Sequence, residues 1–482
     1  TMPDLIIHPS GPLRGAVTLP GDKSITHRAL MLAAIAEGDT EIAGWVPAEV
    51  CLATLRCMQA LRAEIEELPS GRLLVRGHGL DGLAEPTDVL HCKGSGTTIR
   101  LLSGLVAGQP FTTVLTGTDP LRRRPMGRIA EPLRLMGATV IGRDGGRLPP
   151  LAIRGGGLKG IDYTLPVASA QVKSAILLAG LFAEGETTVR EPGPSRDHTE
   201  RMLRWFGVQV GTYGSERAYG SEKTYGSRRT AGSESATGSE STTGSSGTGS
   251  LSVTLRGRQA LKAPRGKILT IPGDFSSAAF PLAAASIVPG SNVTLRNVGL
   301  NPTRTGLLDL LLQMGGAVAE AVDLANVQDS GDETGEPAGE LAVRAAELHA
   351  VPVGGDLVVR AIDEFPIFAV LATQAEGATL VRDAAELRVK ESDRIASVAC
   401  ELRKLGARVD ELDDGMIVHG PAQLRGAEVE CHRDHRLAMA LAVAGLVAEG
   451  PTTVRGAEAI GDSFPGFVET MQELGADIRW TP

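Results

Sequence analysis

The chain has 482 residues, 42% of them hydrophobic, enough for more than one buried core; only 3% are aromatic and 60 are glycine, so an aliphatic, close-packed interior with many tight turns is expected. A formal net charge of −9 excludes a general nucleic-acid binder and demands a local reason wherever cations cluster. The five cysteines form no CxxC pair or disulfide framework, no apolar run spans a bilayer without a charge or glycine break, and "TMPDLIIHPSG" lacks a signal-peptide core, so a soluble cytoplasmic protein with reduced thiols is expected.

In chain order, a helix of small residues running through a turn into a β-rich strand recurs six times. The copies are "HRALMLAAIAEGDTEIAG", "IRLLSGLVAGQPFTTVLTG", "KSAILLAGLFAEGETTVREPG", "FPLAAASIVPGSNVTLRNVG", "FAVLATQAEGATLVRDA" and "LAMALAVAGLVAEGPTTVRGA". Each helix is Ala/Leu/Gly-rich nearly all round, as in a helix buried on most sides, and each strand shows the alternation of a half-buried ladder. Most strands lead to a second, amphipathic helix that stops at a glycine: Gly137, Gly207, Gly315, Gly406 and Gly475 stand where a left-handed cap belongs. The first copy departs, with Arg62 in "QALRAEI". Because "LPGDKSITHR" in the first copy is echoed by "IPGDFSSAAF" in the fourth, the six divide into two similar α/β domains of three units each.

Residues 213–250 form a hexapeptide repeat with glycine in register and almost no aliphatic side chain. Burial there cannot offset the entropy of ordering, so a disordered Gly/Ser-rich insertion is expected. "VQDSGDETGEPAGE" (327–340) reads as the extension of a surface hairpin.

The six helices begin just after "GDKSITHR", "KGSGTTIR", "ASAQVKS", "GDFSSAA", "DEFP" and "HRDHR". Equivalent units would open these N-termini toward one end of each domain, and two such ends facing each other would make an anion-seeking cleft. Lys23, Arg28, Arg100, Arg122, Arg123, Arg124, Lys173, Arg196, Lys390, Arg394 and Arg436 belong to these ends. A cation beside a positive helix end is tolerable when both address a bound anion, with Arg as a bidentate clamp and Lys as a point contact. Any one of these cations reads as a solvated surface charge; their recurrence in an acidic chain argues otherwise. Acid–base groups are few. Asp363 and Glu364 in "IDEFP" read equally as helix caps, Glu386, Lys390, Glu391 and Arg394 in "ELRVKESDR" equally as a solvated helix, and His435 in "RDHR" equally as a satisfied buried histidine. No metal spacing, P-loop, dinucleotide fingerprint or G-x-S-x-G elbow occurs, so a reaction on anionic substrates without cofactor or metal is expected.

The stretches "PGDKSITHRAL", "GSGTTIRLL", "RRRPM", "PVASAQVKSAILLAGL", "RDHTERML", "PGDFSSAAFPLAAA", "NPTRTG", "LRVKESDRI", "DHRLAMALAVAGL" and "SFPGF" resemble, in order, the 5-enolpyruvylshikimate-3-phosphate synthase family over nearly the whole chain. The resemblance implies an inside-out α/β barrel fold of two domains, each of three βαβαββ units around buried parallel helices. Residues 1–20 with 270–482 would form a first lobe carrying phosphoenolpyruvate and the acid/base groups, and 21–269 a second lobe holding shikimate 3-phosphate. It implies transfer of the enolpyruvyl group from phosphoenolpyruvate to the 5-hydroxyl of shikimate 3-phosphate, with release of phosphate. By motif, Lys23, Ser24, Arg28, Ser169, Ala170, Gln171, Arg196, Asp363 and Lys390 would contact shikimate 3-phosphate. Lys23, Gly96, Arg124, Gln171, Arg394 and Arg436 would hold phosphoenolpyruvate, with Lys23, Asp363 and Glu391 catalytic: Asp363 the base near the 5-hydroxyl, Glu391 the acid toward the methylene carbon. The expected partners are the two substrates alone, with no nucleic acid, no membrane and a monomeric chain.

The chain departs from the family at Lys93-Gly94, where Gly-Asn is usual and Lys93 would substitute for the missing Asn, and at Asp462, where some members have a substrate-binding Lys. "SAQVKS" and "RDHTE" resemble the branch less sensitive to glyphosate while Gly96 is the residue of sensitive members, so the two signals oppose. Two rivals stand beside this reading. One is a UDP-N-acetylglucosamine enolpyruvyl transferase, whose mobile loop carries a cysteine absent from "TGTDPLRRRP". The other is a non-catalytic anion-binding protein on the same repeat.

Overall fold

The structure, a computed structural model, describes residues 4–214, 251–322 and 335–481. The predicted insertion lies outside the described residues except for Tyr213, which closes the strand Val210–Tyr213, and Gly214. That strand pairs antiparallel with Leu251–Arg256, so the insertion joins two neighbouring strands of one sheet. The second polar loop likewise connects the antiparallel pair Ala317–Val322 and Ala338–Arg344; its residues 327–334 lie outside the described residues.

Among the described residues, six small sheets repeat one pattern, with one parallel and two antiparallel pairings. In the sheet of Asp162–Thr164, Glu186–Glu191, Leu251–Arg256 and Val210–Tyr213, the first two strands are parallel and the rest antiparallel. The sheet of Gly377–Val381, Gly415–Gly420 and Arg408–Leu412 keeps three strands, its fourth reduced to the parallel bridges His349 to Glu376 and Val353 to Val381. A parallel pairing needs a crossover; in four of the six units the small-residue helix supplies it, whereas Arg14–Thr18 and Ile268–Thr270 each lead into the small-residue helix of the other core. These are the six helices read from the sequence: Lys23–Ala34, Gly96–Ala107, Ala170–Gly180, Phe275–Ile287, Phe365–Thr373 and His435–Gly445. Every residue of Phe365–Thr373 and of His435–Gly445 is buried, which needs a sequence apolar on all faces. Small side chains let the helices approach closely, and a Cβ at Gly104 would collide with the Ala175 carbonyl of the neighbouring helix.

The buried side chains form two large cores, one from Leu5–Leu19 with Phe275–Ile478, the other from Ile25–Ile271. The chain passes between them at Pro20–Asp22 and Pro272–Asp274, side by side, with Gly21 and Gly273 bridged antiparallel. The glycines expected to end the second helices take φ between +81° and +110°. Arg62, where the first copy lacks glycine, takes φ +68° all the same, so the repeat keeps its geometry against the preference of the side chain. Among the described residues no helix is long and apolar enough to cross a membrane, and the five cysteines are free.

Candidate active site

Four of the six buried helices satisfy their first turns with their own side chains. Asp22 accepts from the Ile25 N–H at 2.9 Å, Ser95 from Thr98 at 3.0 Å, Asp274 from Ser276 at 2.9 Å and Asp434 from Arg436 at 3.0 Å. Three of those caps are carboxylates, so bare helix ends contribute less to anion attraction than the sequence suggested. The cap reading of "IDEFP" is not realised either: Glu364 stands at the N-cap without a side-chain bond, and both carboxylates reach other partners.

A cavity of about 710 Å³ opens between the two cores, lined by residues from both. One side supplies Lys23, Ser24, Arg100, Arg124, Arg128, the Ser169–Gln171 turn and Arg196; the other supplies Asp363, Lys390, Glu391, His435 and Arg436, with Val359 and Ile362 as apolar wall. Three ion pairs cross it: Arg196 with Asp363, Arg124 Nη1 with Glu391 Oε1 at 3.2 Å, and Arg128 with both oxygens of Glu386 at 2.9 and 3.1 Å. Arg394, 1% exposed, lies behind the wall. It donates through Nε to Asp434 at 2.8 Å and through Nη2 to Glu391 at 2.9 Å, with Nη1 3.4 Å from Asp363. Gln171 is fixed from both ends, accepting from Arg100 and donating to Thr97 Oγ1 at 3.0 Å.

Burial raises the Asp363 carboxyl, but Arg196, Arg436, Lys390 and Arg394 outweigh it and hold it well below the usual carboxylate range. Burial likewise acts on Glu391, where Arg124 and Arg394 reverse the sign. Burial lowers Lys23, and the neighbouring Arg436 adds to the effect. Burial, helped by Lys23 and Arg436, brings His435 down to about 3, so it is a neutral imidazole, and its buried Nε2 has no hydrogen-bond partner. The site therefore pairs ionised carboxylates with an excess of cations.

Most predicted site residues converge here; several do not. Gly96 is buried behind Arg124, at the first position of its helix. Arg28 turns inward, donating to Thr199, to Ser174 and to the Ser24 carbonyl, so it braces the helix rather than lining the cavity. Lys173, grouped with the site cations from the sequence, is 2% exposed and paired at 2.7 Å with both Glu191 and Glu200. Arg122 binds Asp119 and the Gly117 carbonyl, and Arg123 does not line the cavity. Lys93, expected to replace an Asn contact, is exposed, takes φ +51° and stays outside the cavity, as does the exposed Asp462. Arg128 was missed as a site residue, and Glu386, named among the acid–base groups, was given no site role, because each reads locally as a solvated charge and their pairing joins positions 258 apart. "ELRVKESDR" is not a solvated helix: Ala385–Val389 is a short 3₁₀ turn, and Arg394 opens a new helix from a buried position.

The family model described as EPSP synthase (3-phosphoshikimate 1-carboxyvinyltransferase) matches residues 7–236 and 245–471. The chain belongs to the EPSP synthase family. A 3-phosphoshikimate 1-carboxyvinyltransferase of Pelotomaculum thermopropionicum is 49% identical, the match covering 98% of this chain and 99% of the relative. One from Desulforamulus reducens is 46% identical over 98% and 99%. Among solved structures, an EPSP synthase from Acinetobacter baumannii superposes with a TM-score of 0.81 at 40% identity, covering both chains fully. The enolpyruvyl transferase NikO from Streptomyces tendae, at 21% identity and TM-score 0.72 over 99% of each chain, shares the fold. The repeated sheet-and-helix units and paired cores are thus the two-domain architecture of EPSP synthases and other enolpyruvyl transferases.

Proposed function

We propose that the chain transfers the enolpyruvyl group of phosphoenolpyruvate to the 5-hydroxyl of shikimate 3-phosphate, working as a cytoplasmic monomer. The observation that carries this reading is one cavity in which Asp363 and Glu391, both ionised, face a ring of cations drawn from both lobes. We assign shikimate 3-phosphate to Ser24, the Ser169–Gln171 turn, Arg196 and Lys390, mostly of the lobe spanning 21–269, with Arg28 holding the Ser24 backbone. Phosphoenolpyruvate falls to Lys23, Arg124, Arg394 and Arg436, with Gly96 giving Arg124 room and Gln171 between the ligands. The lobe of 1–20 and 270–482 carries Asp363 and Glu391.

The chemistry follows from this arrangement. A proton from Glu391 goes to the methylene carbon of phosphoenolpyruvate as the 5-oxygen bonds to the adjacent carbon and its proton passes to Asp363. In the adduct the carbon–oxygen bond to phosphate breaks, Glu391 takes back a proton from the methyl carbon, and phosphate leaves with the proton that Asp363 accepted, so the double bond re-forms as an enol ether. The cations hold the carboxylate and phosphate throughout. Glu391 is kept ionised by Arg124 and Arg394, the same guanidiniums assigned to phosphoenolpyruvate. The incoming anion draws them away, the Glu391 carboxyl rises, and the acid gains its proton as its substrate arrives.

Phosphate release with phosphoenolpyruvate, offering shikimate 3-phosphate or UDP-N-acetylglucosamine as acceptor, tests the reading. Turnover with the sugar nucleotide alone, or with neither, refutes it.

A further inference from the structure

The two passages between the cores are built as a pair. Asp22 N–H donates to the Pro272 carbonyl and Asp274 N–H to the Pro20 carbonyl, both at 2.8 Å. Each passage ends in an aspartate that caps the helix leaving it, so two carboxylates meet where the lobes join. One guanidinium serves both: Arg304 Nη2 lies 2.8 Å from Asp274 Oδ1, 3.4 Å from Asp22 Oδ2 and 2.9 Å from Ser276 Oγ. Ser276 in turn donates to Glu364, next to Asp363. The other arm, Nη1, lies 3.9 Å from Asp363 Oδ2 and, like Nε, has no hydrogen-bond partner although Arg304 is only 3% exposed. Arg304 does not line the cavity and takes no part in the steps above.

A buried cation with two unused donors is unfavourable unless its geometry is needed. Placing one positive charge between Asp22 and Asp274 is something a lysine would also do. Spanning from that pair to Asp363 needs a rigid fork. We infer that Arg304 is a positioning residue for the reaction: it pins the two interlobe passages to one another and presents its second arm to Asp363, so that rotation about the passages and placement of the base are one movement. Burial raises Asp22, and Arg304 together with His198, the Ile25 N–H and Arg196 more than reverses this, keeping the cap ionised. The inference rests on Asp363 being the base of the proposed reaction.

Arg304→Lys keeps the charge and removes the fork; Asp274→Asn keeps a good helix cap and removes one of the two carboxylates. Phosphate release is measured with each substrate varied in turn, beside the unfolding midpoint. A displacement of Asp363 by a fraction of an ångström lowers kcat about 10-fold in Arg304→Lys and about 3-fold or more in Asp274→Asn, with the KM for phosphoenolpyruvate within about 3-fold. Both variants are expected to fold; should Arg304→Lys not be obtained folded, Asp274→Asn decides alone. Parental kcat and KM in the folded variants, whatever their stability, reduce Arg304 to a structural counter-charge and overturn the inference alone. A parent that releases no phosphate from this substrate pair overturns the proposed function, and the inference with it.

Discussion

Gly96→Ala probes the contribution of Arg124, because the added atom strikes that side chain hardest and touches Arg100 less closely. A Cβ at Gly96 would stand 2.8 Å from Arg124 Nη1, 3.2 Å from its Cζ and 3.2 Å from Arg100 Nη1. Ordinary carbon contacts begin near 3.5 Å, so the guanidinium must retreat by roughly 0.5–1 Å. It can, being the end of a flexible side chain, but its contact with Glu391 and its aim at an anion are spoiled. A charge-assisted hydrogen bond contributes about 1.5–3 kcal/mol, and losing half of that raises the KM for phosphoenolpyruvate about 3- to 13-fold. The KM for shikimate 3-phosphate should stay within about 2-fold. Alanine is also the better helix former at this position, so the unfolding midpoint should hold or rise. Steady-state phosphate release at saturating shikimate 3-phosphate reads the effect. An unchanged KM for phosphoenolpyruvate, or an equal rise for both substrates, refutes the placement of Arg124.

Four further outcomes are expected. Glu391→Gln should lower turnover at least about 100-fold with substrate binding largely kept, and full activity would remove Glu391 as the acid. Calorimetry of phosphoenolpyruvate binding in two buffers of different ionisation enthalpy should show net proton uptake by the protein, and none if Glu391 keeps its guanidiniums. Lys173→Met leaves Glu191 and Glu200 facing each other in the interior, so chemical denaturation should show a loss of about 3–5 kcal/mol, while an unchanged midpoint would deny the buried ion triad. Burial holds His27 and His435 down to about 3, against about 6.5 when unfolded, so below pH 6.5 the unfolded chain binds more protons and stability falls with pH. Each histidine should take away about 2 kcal/mol between pH 8 and 5, and His27→Gln should remove about half of that drop in denaturant midpoint.

The repeat was legible because it is local: the small-residue helices, the glycine stops and the aspartate before each paired helix all lie within short windows. Even Arg62 follows, since the turn it replaces is fixed by its neighbours. What sequence reading misjudged is which cation finds which carboxylate. Lys173 looks like Lys23 in its local motif, yet its partners sit 18 and 27 residues away and take it out of the site. Arg128 and Glu386, or Arg304 and Asp22, pair across the lobes over hundreds of residues, and no periodicity carries that information. The acidic caps were likewise visible as residues, but that they would quiet the helix ends they precede depends on rotamer.

The strand Leu5–Ile7 lies between Thr452–Arg455 and Ile478–Trp480. On a ribosome adding about 5–20 residues per second, it must wait roughly 20–90 s for both neighbours. Residues 21–271 need no such patience, since they hold all the strands of their own three sheets. The middle of the chain should therefore resist protease on stalled nascent chains before the ends do, leaving an apolar N-terminal edge for chaperones to shield in the interval.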